Sequence, residues 1–233
     1  MYFFNRVLAT ALSLVVLNTA THATEKNADD PTKVITKIGI GYNDEFVFSG
    51  SLGLDATRKI NGRINEDGSE WRLGGSWLFN FGIVNFNFSR TDYDGDAYKD
   101  SYSVGTFVPM SALGVSTGKW QVFPMAGFNH NEGENYFEAE EQTLTDDFIL
   151  LPNSSDGGYI GAFVLRPLTE QWTFLGFLGA SKGSNSYSGT WGGMGISYRI
   201  TDNQSINSFA FVSDDDYGQV EKLSIAYTYE FGK

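Results

Sequence analysis

The chain of 233 residues contains no cysteine. That excludes a disulfide framework, thiolate metal sites, a cysteine nucleophile and a lipidated N-terminal cysteine. Histidine is nearly absent, with only His22 and His130. Charged residues make up 19% of the chain, below the share of about 25% usual in soluble proteins. Cations are the scarcer sign: 16 Lys and Arg against 28 Asp and Glu leave a formal charge of −12. This balance argues against sequence-independent nucleic-acid binding, which needs a basic footprint to displace phosphate counterions. Mean hydropathy is −0.23, too low for a bundle of membrane helices. What the chain has in quantity is glycine (27), phenylalanine (19) and tyrosine (12), with five tryptophans. Few charges, many aromatics and many glycines point to a β-protein with an unusual surface, and the length suffices for one domain with a sizeable core.

Residues 1–23 carry one basic residue, Arg6, then the apolar stretch VLATALSLVVLNTA, and end in Thr21-His22-Ala23. Small residues at −3 and −1 fit a signal-peptidase site, so the segment reads as a secretory signal cleaved after Ala23. Its apolar stretch is shorter than the ~20 residues of a spanning helix. The segment holds no acid, so subtracting the single charge of Arg6 from −12 gives −13 for the mature chain. Residues 24–32 (TEKNADDPT) are polar and read as a flexible lead-in.

From residue 33 on, apolar residues recur with period two, and no apolar run approaches 18 residues. Leu223, Ile225, Tyr227, Tyr229 and Phe231 alternate with Ser224, Ala226, Thr228 and Glu230. In a strand the two sets point to opposite faces. Trp71, Leu73, Gly75, Trp77 and Phe79 alternate in the same way with Glu70, Arg72, Gly74 and Ser76. A soluble sandwich also alternates, with its apolar face inward. Here the polar face is built of Ser, Asn, Gly, Thr, Arg and Glu, which suits a polar lumen, and segments of 9–11 residues match tilted spanning strands. Aromatics near strand ends (Trp71, Trp77, Phe79, Trp120, Trp172, Trp191, Tyr227, Tyr229 and Phe231) suit a membrane-interface girdle.

Short connections at 80–82, 113–118, 169–171 and 201–204 alternate with longer polar ones at 93–100, 134–156, 182–189 and 214–221. That is the pattern of periplasmic turns and extracellular loops. The expectation is a closed antiparallel transmembrane β-barrel over 33–233, all-β, most readily of twelve strands. The strands are expected at 33–42, 46–54, 58–66, 69–79, 83–93, 101–111, 119–131, 158–168, 172–182, 190–200, 205–213 and 222–231. Ten strands is the alternative, because 58–66 has only Ile60 and Ile64 on its apolar face. Segments 119–131 and 205–213 carry apolar residues on both faces, which leaves their orientation open.

Signal, period-two strands, alternating loops and the terminal strand YTYEF resemble the small outer-membrane β-barrels of Gram-negative bacteria. The resemblance implies an outer-membrane location, contact with outer-membrane lipids and lipopolysaccharide, and assembly by the barrel-insertion machinery. That machinery reads a C-terminal aromatic; here Phe231 is followed by Gly232 and Lys233.

Some barrels of this kind are lipid hydrolases with a His/Ser pair. The mature chain has one histidine, His130, flanked by Asn129, Asn131 and Glu132, with only distant serines such as Ser103 on offer. A loop-proximal polar residue is the simpler reading. Asp92, Asp94, Asp96 and Asp100 surround a glycine and are weak Ca²⁺ ligand candidates, since hard oxygens suit that ion. Their spacing misses the EF-hand pattern, so a solvated acidic loop competes. Asp214–Asp216 and Glu138, Glu140 and Glu141 read as loop charges able to share divalent cations with lipid-A phosphates. Otherwise no cofactor is implied. Lys59, Arg63, Glu70, Arg72 and Glu230 fall on the expected lumen face, where charges must be paired or hydrated. The functional expectation is a non-enzymatic barrel, structural or a narrow passive channel for small solutes and ions. The alternatives are an outer-membrane lipid hydrolase and a soluble exported binding barrel or sandwich.

Overall fold

The computed structural model describes residues 26–27, 29–43, 45–92, 98–133, 156–184, 188–215 and 218–232; the signal segment lies outside them. Twelve strands form one sheet: β1 (Lys37–Tyr42), β2 (Phe46–Gly53), β3 (Arg58–Asn65), β4 (Glu70–Phe79), β5 (Gly82–Asp92), β6 (Tyr98–Phe107), β7 (Gln121–Gly133), β8 (Asp156–Pro167), β9 (Trp172–Gly183), β10 (Ser188–Thr201), β11 (Gln204–Asp215) and β12 (Gly218–Glu230). Each pairs antiparallel with its sequence neighbours. β1 also pairs with β12, from Lys37↔Glu230 to Tyr42↔Ile225, and so closes the barrel. Closure leaves no sheet edge, the condition for placing strands in lipid, where an unpaired N–H or C=O costs several kcal/mol.

The alternation in the sequence sets the two faces. Leu223, Ile225, Tyr227 and Phe231 are exposed on the outside of β12, while Thr228 and Glu230 are buried inside. Ile38, Ile40, Phe48, Leu52, Ile60, Leu73, Phe86, Val104, Phe128, Ile160, Leu178, Met194 and Val212 continue the outer apolar surface around the barrel. A continuous apolar belt far exceeds the patches that water-facing monomers carry and has the character of the outer face of a transmembrane barrel. On β1–β4 and β12 the inward residues are mainly polar, not the apolar set that a soluble sandwich requires.

Two aromatic groups bound the belt. At the end holding the start of β1, the end of β12 and the turns at 80–81 and 168–171, Trp77 stacks on Phe79 and Phe79 on Phe81, while Trp172 meets Tyr198 and Tyr229 meets Phe231. At the long-loop end, Tyr42 meets Phe46, Trp71 meets Phe88, and Phe88 meets Tyr102. Amphipathic rings favour the two headgroup levels of a bilayer. Trp191 departs from the girdle expectation: it sits on the inner face of β10 and is buried.

Two strand ends fall four residues short of the expected bounds, and β12 begins four residues early, at Gly218. β6 stops at Phe107, before Val108-Pro109 and a 3-10 turn over Met110–Leu113. Pro109 has no N–H to give a ladder, so the link to β7 runs over 108–120. β1 starts at Lys37; the Thr36 carbonyl still accepts from the Phe231 N–H at 2.8 Å, and ahead of it Val34 packs against the inner apolar cluster. The turn between β2 and β3, at Asp55-Ala56, is held by its own side chains. The Asp55 carboxylate accepts hydrogen bonds from the Thr57 and Arg58 N–H groups, each at 2.8 Å, and from Arg58 Nε at 2.7 Å. The Arg58 side chain is the main reason this carboxyl lies well below the usual carboxylate range.

Candidate functional site in the barrel lumen

The lumen has two unlike sides. On β5–β11 an apolar cluster fills it: Ile83, Phe107, Phe123, Met125, Tyr159, Phe163, Leu165, Leu175, Phe177, Trp191, Phe209 and Phe211. Glycines opposite make room for the rings. A Cβ at Gly179 would collide with the Trp191 indole, and one at Gly127 with the Tyr159 ring. Gly105, Gly161, Gly193 and Gly195 likewise leave room for Tyr159, Trp191, Phe177 and Phe209 lying across the inner wall. These inward aromatics are the feature sequence reasoning missed. The two-faced apolar pattern of 119–131 and 205–213 was their signal: Phe123, Met125, Phe209 and Phe211 form the inner set.

The other side, on β1–β4 and β12, is polar. Lys59 is 4% exposed, Arg72 8% and Glu230 6%. Arg63 and Arg72 are direct cross-strand partners, as are Lys37 and Glu230. All five residues placed on the lumen face from sequence, Lys59, Arg63, Glu70, Arg72 and Glu230, therefore lie on the inner set of their strands. Arg63 Nη1 reaches Glu70 Oε1 at 3.9 Å. Glu230 Oε2 accepts a 2.8 Å hydrogen bond from Lys33 Nζ, a lysine that the sequence left unused. Above the apolar cluster, Asn85, Asn87, Ser89, Ser101, Ser103 and Asn129 continue the polar lining. A cavity of about 110 Å³ runs between β1–β3 and β11–β12, lined by Lys37, Ser49, Lys59, Arg63, Asn207 and Thr228 among others. Its lining mixes these polar groups with apolar ones such as Val47 and Phe209, and it is roomy enough for several waters.

The lead-in bounds this cavity. Asp29, Asp30, Pro31 and Lys33 form part of its lining. Thr32 is fully buried, and Val34 packs against the apolar cluster. Ser51 Oγ donates to the Ile35 carbonyl at 2.7 Å, and the Gly53 N–H donates to Thr36 Oγ1 at 3.0 Å. From Asp29 onward the lead-in therefore has a defined place inside the barrel, where its sequence suggested a flexible segment. Burial pushes the Asp29 carboxyl above its usual range, despite a hydrogen bond from Ser197 and the nearby charges of Lys37 and Arg199. Burial likewise lowers the Lys26 ammonium.

The remaining candidates lie outside the lumen. Asp92 Oδ1 accepts from Arg90 Nε at 2.8 Å, and Asp100 Oδ2 lies 3.5 Å from Arg90 Nη1. The guanidinium also stacks over Tyr98. Two of the four Ca²⁺ candidates thus share an arginine; Asp94 and Asp96 lie outside the described residues, as do Glu138, Glu140, Glu141 and Asp216. Among the described residues no group of three His, Asp or Glu side chains could hold a metal ion. His130 is on the outer face of β7, its Nδ1 against Asp156 Oδ1, with Tyr102 beside it. Ser103 is on the inner face of β6, so the barrel wall separates it from His130.

No family model matches the chain, and no curated protein matches it. Solved structures do. The COG4313 outer membrane channel from Pseudomonas putida F1 aligns at TM-score 0.53 and 11% identity, covering 89% of this chain and all of that one. A KdgM porin in complex with disordered oligogalacturonate aligns at 0.50 and 11%, covering 85% and 100%. A bacterial polysaccharide outer membrane secretin aligns at 0.50 and 12%, covering 82% and 70%. The fold is that of outer-membrane channel barrels.

Proposed function

We propose that the protein is a non-enzymatic outer-membrane barrel of a Gram-negative envelope, reached after export and removal of residues 1–23, with a narrow passive pathway for small solutes and ions. The observation that carries this reading is the polar inner wall with its cavity, set in a barrel whose outer face is apolar. The neighbours named as channels support it at the level of fold. Twelve strands lie between side-chain-filled barrels of eight and open porins of sixteen or more, and the aromatic cluster takes one side of the available bore. The pathway is therefore a crescent along β1–β4 and β12, and passage is passive because it requires only hydration and charge. The outer belt meets outer-membrane lipid, and acidic residues at the long-loop end such as Asp214, near the end of β11, face the lipopolysaccharide level, where divalent cations bridge them to phosphates.

Folded protein in planar bilayers is expected to give small ohmic current steps, well below those of open porins. Stable insertion with no steps at any voltage or salt concentration would leave a purely structural barrel instead.

A further inference from the structure

The polar wall carries a local excess of positive charge in an acidic chain. On the inner strand faces Lys37, Lys59, Arg63 and Arg72 stand against Glu70 and Glu230, and Arg199 follows the buried Ser197 on the inner side of β10. Cations held in a half-dry cleft focus a field that raises the local concentration of anions. The cavity beside them is closed by acidic residues from the lead-in, Asp29 and Asp30. An anionic group thus already occupies the place where the wall is most cationic.

That occupant is built as a separate unit. Lys26 Nζ donates to the Thr32 carbonyl at 2.9 Å and to Thr32 Oγ1 at 2.8 Å. The Thr32 N–H and hydroxyl both donate to Asp30 Oδ1 at 2.7 Å. Asp30 N–H closes the turn on the Asn27 carbonyl at 3.1 Å. Stitching to the wall is concentrated after the turn, at Lys33–Glu230, Ile35–Ser51 and Thr36–Gly53. Within the turn, the Asp29 contact to Ser197 and the surrounding Lys37 and Arg199 charges do not offset the burial of its carboxylate, with Glu230 adding like charge. Lys26 also faces Lys59, a like charge. The turn fits the cavity, with Asp29 bonded to Ser197 but its buried carboxylate incompletely compensated there.

We propose that Lys37, Lys59 and Arg63 form a binding strip for small anionic solutes, carboxylated or phosphorylated, and that the Lys26–Thr32 turn is its tethered occupant, displaced when such a solute binds; this rests on the passage proposed above. The turn keeps the strip filled when no anion is present, and a solute anion frees the crescent as it enters. The solute must compete with a segment held at high effective concentration, so wild-type affinity is weakened by the tether.

The test does not depend on conductance. Folded protein in nanodiscs is titrated calorimetrically with glucuronate, glucose 6-phosphate and neutral glucose, and hydrogen exchange of residues 26–33 is followed in parallel. Both anions are expected to bind and to speed exchange in that segment, and glucose to do neither. A response to one anion alone sustains the strip for that group only. Deleting residues 26–32 should tighten anion binding at least tenfold, and Lys59→Gln should weaken it by a similar factor. No anion binding by wild type or the deletion variant would overturn the proposal, as would binding that leaves exchange of 26–33 unchanged. Either failure leaves the channel reading intact if current steps are present; absent steps with tight anion binding would sink the channel and spare the strip.

Discussion

Phe177→Ala is expected to cost about 3–5 kcal/mol of folding stability, the range for removing a buried aromatic. Phe177 is at the centre of the inner cluster, with ring centroids of Trp191, Phe209 and Phe211 each 6.2 Å away. Its ring also fills the space over Gly193, where a Cβ would collide with it. No backbone on the far side can close the gap, because the ladders to β8 and β10 hold β9 in place. The void persists, and the lost contacts add to the lost transfer energy. Urea unfolding from lipid vesicles measures the effect. A loss below about 1 kcal/mol, typical of surface sites, would mean that the cluster is not a packed core.

Leu223→Arg is expected to cost about 2–4 kcal/mol in folding into bilayers, the range for an arginine facing lipid at the midplane. Leu223 is 72% exposed, pairs with Ala210 and lies near the middle of β12. Tyr227 shares its face but sits three residues from the strand end beside the Tyr229–Phe231 pair, so Tyr227→Arg should cost less, as its charge reaches the headgroups. The same vesicle-folding assay on both variants checks the order. A larger loss at Tyr227 would shift the bilayer midplane toward the short-turn end.

Most of the wall was legible in the sequence, because a spanning strand writes its two environments into alternate residues. Leu223 to Phe231 and Trp71 to Phe79 show this plainly, and even the poor third strand, RKINGRINE, kept Ile60 and Ile64 outward against Lys59 and Arg63. The inside was only half legible. Charges at alternate positions marked the polar wall, but a lumen filled by aromatics erases the alternation that would reveal it. With Phe123 and Met125 inward and Val122 outward, both faces of β7 are apolar, and period two carries no orientation. Trp191 was misplaced for the same reason: a tryptophan near a strand end looks like a girdle residue until its glycine partner, Gly179 on the next strand, is known. The lead-in was illegible because its burial depends on residues far away in the chain: Asp29 lies beside Ser197 and Arg199 and borders a cavity walled by Lys59 and Asn207.

The divided lumen is tested most directly by thiol accessibility, for which the absence of native cysteine leaves a clean background. Single cysteines at Ser49 and Asn207, which line the cavity, are compared in vesicles with cysteines at Leu175, in the inner apolar cluster, and at Leu223, on the outer belt. A small hydrophilic, membrane-impermeant thiol reagent should modify Ser49→Cys and Asn207→Cys and leave Leu175→Cys and Leu223→Cys untouched. Equal modification of Leu175→Cys and Ser49→Cys would show a lumen wet all round, and protection of all four would show one with no passage.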